Sequence, residues 1–218
     1  MRITSATCVA AVLVTASVGV ALWAWIMLPA GGGVPVNYLG LDGVRHHGVS
    51  RLALWLAPVT SGLVTIAMTA APGLSRRSGV ERAAEVFDMT MIAMAGLLLV
   101  TQAALVGRAF DEGFDVMPPV AIATGVLLLA VGNYLGKARQ NGFIGLKTPW
   151  TLANAGVWDK THRFTGRVMV LGGLVLIGAG FSVRDPLALG LAIGACTAAP
   201  LLLGAAHSRS LYRGLQGG

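Results

Sequence analysis

Charge is what this chain has least of. Asp, Glu, Lys and Arg together make up 11% of its 218 residues, where soluble domains carry about a quarter. With 55% of residues apolar, a water-soluble fold would have too little polar surface to cover its core. The deficit excludes an ordinary soluble domain and makes lipid the solvent of the outer surface. Cysteine is scarce too: Cys8 and Cys196 lie inside apolar runs, with no Cys or His at metal-ligand spacing. This pattern points to no disulfide framework and no metal set, and reads both thiols as small hydrophobes. No ionisable residue falls in the middle of an apolar run; Asp88 stands only at the end of one. Pathways for ions and protons are built on such residues, so a pump or coupled transporter has little to work with. No internal repeat is visible and the two halves differ in loop length, which argues against an inverted-repeat carrier.

What the chain does have is six uncharged runs near the roughly 20 residues that cross a bilayer as helix. They are Ile3–Leu28, Leu52–Ser75, Met89–Gly107, Val116–Gly136, Val168–Val183 and Pro186–Ala206. The fifth is short and borrows Phe164 to Arg167, the Arg167 head snorkelling to the headgroups. The first is longer than a signal-peptide core and reads as an uncleaved anchor behind Arg2. Ser78 to Glu81 has capping-box form ahead of the third run. Pro118-Pro119 and Asp185-Pro186 open the fourth and sixth. Pro58 and Pro200 predict kinks. Gln102 and Asn133 read as interhelical hydrogen-bond glue, and Gly190-x-x-x-Gly194 as a close-packing face.

The basic residues set an orientation. With the N-terminus cytoplasmic, twelve of the 16 Lys and Arg fall inside, and Arg45, Arg51, Arg108 and Arg184 fall outside. That is the positive-inside bias, with both termini in the cytoplasm. The expected architecture is all-α integral membrane: six transmembrane helices in one polytopic domain, 1–218, with an outer loop at 29–51 and a cytoplasmic loop at 137–167. The net charge of +7 sits in the loops, where it serves topology and anionic headgroups rather than nucleic acid.

The cytoplasmic loop carries the most information. Asn141-Gly142 and Gly145 mark turns. Thr148-Pro149 reads as N-cap and first residue of a helix running to about Lys160. Trp150, Ala153 and Val157 share a face of it, with Trp158 at the edge. That pattern predicts an interfacial helix under the bilayer, its tryptophans half buried with wet N–H groups. The residues alone leave two readings: a basic connector pinned to the membrane, or a dedicated site. His162 has a single acid nearby, Asp159 at i−3, and no nucleophile, which is thin material for catalysis.

The same stretch resembles the SdpI family of bacterial membrane immunity proteins. That family's signature lies between its fourth and fifth helices, and the residues here follow in its order and spacing: Asn133, Tyr134, Asn141, Phe143, Gly145, Lys147, Thr148, Pro149, Trp150, Thr151, Leu152, Trp158, Thr161, His162 and Gly166. Lys147 departs from the more usual Arg, keeping the charge without the bidentate fork. Pro29, Val34 to Tyr38 and Gly40 to Gly43 look like a shortened form of the family's first outer loop, with a short strand and a turn.

The resemblance implies a non-enzymatic, multi-pass cell-membrane protein that protects against a secreted toxic peptide. It also implies signalling through a winged-helix autorepressor held at the cytoplasmic loop. Its site would be Asn133, Asn141, Gly145, Lys147, Thr148, Pro149, Trp150, Trp158, Thr161 and His162, with lipid as a further partner and no cofactor, metal or direct nucleic acid. The alternative from the residues is a membrane enzyme or small-molecule carrier using Asn141, Asp159 and His162.

Overall fold

The structure, a computed structural model, describes residues 4–39, 45–74, 84–141 and 144–216. The Arg2 region, the 40–43 turn, the 78–81 capping box, Gly142 and Phe143 lie outside the described residues. Helix α1 (Ser5–Met27) is capped by Thr4, whose side chain accepts from the Thr7 N–H. Strands β1 (Val34–Leu39) and β2 (Arg45–Ser50) pair antiparallel, Val34 opposite Ser50 and Leu39 opposite Arg45. A 3-10 turn at Leu52–Trp55 leads into α2 (Leu56–Leu74). Helices α3 (Ala84–Phe110) and α4 (Met117–Leu135) follow. The short α5 (Pro149–Ala153) precedes α6 (Ala155–Ser182) and α7 (Pro186–Gln216).

Six of these helices are long and apolar enough to cross a membrane. Their outer faces confirm the solvent: Ile26 is 72% exposed and Leu202 70%, a cost in water that lipid removes. The protein is therefore all-α and multi-pass, as its uncharged runs predict. The helices exceed the runs where polar residues join them. α3 starts at Ala84 rather than Met89, and α7 continues ten residues past Ala206, with Arg213 in its last turn to suit the helix dipole. Pro58 is not a mid-helix kink. It sits in the first turn of α2, directly after the 3-10 turn, where its missing N–H leaves no intrahelical bond unmade.

The N-terminal half closes on small residues and one amide. Ala6, Ala10, Ala21 and Ala24 of α1 are buried, against Met91 and Ala95 of α3 at one end and Leu54 and Val106 at the other. Gln102 is the glue its sequence position suggests. Its Nε2 donates to the carbonyls of Ser17 (3.0 Å) and Leu54 (3.3 Å), and its Oε1 accepts from the Ser17 hydroxyl. At the end of α1 the Arg51 guanidinium donates to the carbonyls of Leu28, Pro29 and Gly32, closing the hairpin onto a helix end that needs donors.

In the C-terminal half the close-packing face is not where Gly190 and Gly194 suggested. A Cβ on either would meet nothing within 4 Å. The glycines that matter join α4 to α6. A Cβ on Gly125 would lie 2.6 Å from the Gly173 carbonyl oxygen, and one on Gly132 would lie 2.7 Å from that of Gly166. Gly180 approaches Pro118 and Ile122 in the same way. Only glycine lets the two backbones touch.

Candidate functional site

The segment after α4 folds back as a knot on the first turns of α6. The expected single helix from Pro149 to Lys160 is broken. Thr148 caps α5, its Oγ1 accepting from the Thr151 N–H at 3.2 Å, and α5 ends after five residues. Asn154 then takes an extended conformation (φ −144°, ψ 122°) and caps α6 by accepting from the Val157 N–H at 3.1 Å. Val157, Trp158, Thr161 and His162 thereby belong to the helix that continues through the membrane. Gln140 stitches the break from the other side, donating to the carbonyls of Thr151 (2.9 Å) and Leu152 (2.7 Å).

Trp158 is the floor of the knot. It is 0% exposed, and its Nε1 donates to the Ala138 carbonyl at 2.8 Å. For Trp158 the interfacial setting with a wet N–H is thus not found; a backbone carbonyl satisfies the donor inside the protein. The His162 ring stacks on Trp158 with centroids 4.0 Å apart and planes 19° apart. Both of its nitrogens are committed. Nε2 accepts from the Leu146 N–H at 2.9 Å, so Nδ1 carries the proton and donates to the Trp158 carbonyl at 2.8 Å. Gly145 makes this possible. Its φ is +119°, and a Cβ there would overlap His162 Nε2.

Hydroxyls bind the knot to α7. Thr151 Oγ1 donates to the Leu146 carbonyl (2.8 Å) and accepts from the Thr148 N–H (2.9 Å). Thr148 Oγ1 meets Ser208 Oγ of α7 at 3.1 Å. Asn141 closes the near side, accepting from the Ile144 N–H and donating to the Arg139 carbonyl, both at 2.9 Å. Thr161 and Thr165 are buried beside these groups with unpartnered Oγ1 atoms.

Of the ten residues singled out in the sequence, the structure gathers Asn141, Gly145, Thr148, Trp158, Thr161 and His162 into this buried knot. Lys147 and Pro149 are exposed on its rim. Trp150 is half-buried, with the Arg209 guanidinium 5.9 Å from its ring centroid. Asn133 stands apart, exposed on α4 at a groove shared with Arg163 and Arg167, so it is not the interhelical glue expected of it. Sequence reasoning missed Gln140, Asn154 and Ser208. Asn154 had a signal in its cap-forming side chain; Ser208, sixty residues beyond its partner Thr148, had none. Asn141, Asp159 and His162 do not converge as an acid–base set: Asp159 is exposed, and both imidazole nitrogens already serve backbone groups.

Fold and site together define a polytopic helical membrane protein whose fourth and fifth spans are joined by a built, buried loop. Residues 137–206, which take in that loop, α6 and most of α7, match the SdpI/YfhL protein family, and this assigns the segment to that family. Over 72 residues the chain is 33% identical to the Immunity protein SdpI of Bacillus subtilis (strain 168). That alignment covers 33% of this chain, and the chain spans about a third of the length of the relative, 34%. No solved structure matches the chain.

Proposed function

We propose that the protein is a membrane immunity protein that protects its cell against a secreted toxic peptide, with both termini in the cytoplasm and the loop of the knot on the cytoplasmic side. The observation that carries this reading is the coincidence of the family-matching segment with the knot. Six of the ten signature residues lie in one buried structure tying the loop to α6 and α7. Such a structure suits a receptor. A ligand bound outside that favours one arrangement of α6 and α7 would change the knot, because Leu146 hangs from His162 and Thr148 from Ser208. The rim formed by Lys147, Pro149, Trp150 and the half-exposed Leu152 is the surface a winged-helix autorepressor would meet. Trp158 would position that rim rather than touch the partner.

The test is expression in Bacillus subtilis cells that lack their own SdpI and are challenged with the toxin that SdpI counters. Survival with wild type and death with Gly145→Ala, at equal membrane abundance, is the expected result. Equal death in both, with wild-type protein present in the membrane, overturns immunity to that peptide. For signalling, a tagged chain should recover a repressor-like protein from its own host, and Trp150→Ala should lose it. Reporter fusions at the C-terminus that are active only outside the cell would overturn the orientation.

A further inference from the structure

Lys160, Arg163 and Arg167 lie at i, i+3 and i+7 of α6, on one exposed face. They end where the uncharged stretch from Val168 to Ser182 begins, which puts them at the membrane–water boundary. Among the described residues none of the three makes an ion pair. Arg163 uses only its Nε, toward the Asp159 backbone carbonyl at 3.4 Å. Arg163 and Arg167 form a ridge between two open grooves. One, of about 460 Å³, runs from the arginines past Asn133 to Val170 and Leu171, over a floor of Gly132, Gly136 and Gly166. The other, of about 450 Å³, lies between the same arginines and α7, over Phe164, His207 and Leu211. The first groove is cationic at its Arg163 end and apolar at Val170 and Leu171, over a floor without side chains; in the second, Leu211 lies toward the start of α6, away from the apolar span.

We propose that this ridge binds an anionic phospholipid, its phosphate held by Arg163 and Arg167 with Lys160 as added charge, and an acyl chain lying along the first groove toward Val170 and Leu171. Guanidinium groups match phosphate oxygens in paired hydrogen bonds, and basic pockets between membrane helices favour anionic headgroups. The shape of the first groove selects a lipid over a free phosphate. A free anion would use the arginines and leave the apolar end of the first groove, Val170 and Leu171, unused. Asn133, which has no place in the knot, becomes an amide lining the headgroup end of the first groove. The site stands whether or not the chain confers immunity.

The test uses the full chain purified in a neutral detergent, with phosphatidylglycerol or phosphatidylcholine titrated in and bound lipid counted by native mass spectrometry. Wild type should prefer phosphatidylglycerol. Arg163→Ala/Arg167→Ala should lose roughly thirtyfold in that affinity, the effect of two near-surface charges, while Arg184→Ala at the far end of α6 keeps it. Equal retention of the two lipids by wild type, or an undiminished preference in the double variant, overturns the proposal. Inorganic phosphate displacing the lipid headgroup at equal concentration also overturns it, in favour of a free-anion site. If the double variant does not fold, wild type alone decides: the preference must fall as salt is raised, and a salt-insensitive preference sinks the idea.

Discussion

The two halves of this molecule solve the same problem by different means. Among the described residues from α1 to α3, the helices meet through alanines and the buried amide of Gln102, and the hairpin between α1 and α2 is held by the Arg51 guanidinium. From α4 to α7 the backbones themselves touch through facing glycines, and the connecting loop is locked by a histidine, a tryptophan and a set of hydroxyls. The family match begins at residue 137, inside the second half. Side chains that bridge a gap can be exchanged for others of similar reach. Backbone contact and a positive-φ glycine under an imidazole cannot. The half whose backbones touch is also the half that contains the family-matching segment.

The contrast can be broken most forcefully at the glycines. Gly166→Val should destabilise the protein by about 3 kcal/mol or more, since its Cβ would meet the Gly132 carbonyl oxygen 2.5 Å away and a rigid backbone cannot yield. Gly190→Val, in open space, should leave the unfolding midpoint in detergent unchanged. If both behave alike, the α4–α6 contact is not what holds this half. Next comes Gly145→Ala, expected to cost about 2–3 kcal/mol through backbone strain and overlap with His162. Its counterpart is Gly31→Ala in the loop after α1, where φ is +85° with nothing within 4 Å; a loss of about 1 kcal/mol is expected there. Nitrogen-15 spectra of His162 give a direct readout, since wild type should show the proton on Nδ1 and Gly145→Ala a mixture of tautomers.

Smaller effects sharpen the comparison. Gln102→Leu should cost about 1 kcal/mol, the scale of a hydrogen bond between membrane helices. A far larger loss would show that the N-terminal half is as intolerant as the other. Smallest of all is Thr161→Val. Its Oγ1 is buried without a partner, so removing it should leave stability unchanged or slightly raised. Loss of the proposed immunity in Thr161→Val with stability intact would mark the hydroxyl as functional.

These contrasts also explain what could be read from the amino acids. Spans are legible because a charge-free run of sufficient length has one physical meaning, and Thr148-Pro149 announced a helix start correctly. The strand at Val34 is anticipated only through the resemblance to the family's first outer loop, whereas its partner Arg45–Ser50 shows no alternation and acquires its form by pairing. The break at Asn154 was missed because Ala-Asn-Ala is locally compatible with helix; only the cap on Val157 decides against it. The burial of Trp158 was misread because tryptophan near basic residues has an interfacial meaning in most contexts, and the carbonyl that satisfies it belongs to Ala138, twenty residues earlier. The ten signature residues were recognisable as a set, but not that six would be scaffold and Asn133 elsewhere.

The spacing of the facing glycines sets the handedness of this pair. Gly125 and Gly132 on α4, and Gly166, Gly173 and Gly180 on α6, recur every seven residues. A repeat of seven falls short of two full helical turns by about 20° each time, so a seam that follows it must coil to the left at a shallow crossing of about 20°. Glycines four apart would instead cross to the right at about 40° and part company sooner. The seam here persists over fourteen residues of α6, about 21 Å at 1.5 Å per residue, most of the depth of the hydrocarbon. Two rods wound together over that length turn as one. A twist applied at the Pro118 end reaches Gly166, and through the same stretch of α6 the ring of His162, as rotation about the membrane normal, with little lost to bending on the way.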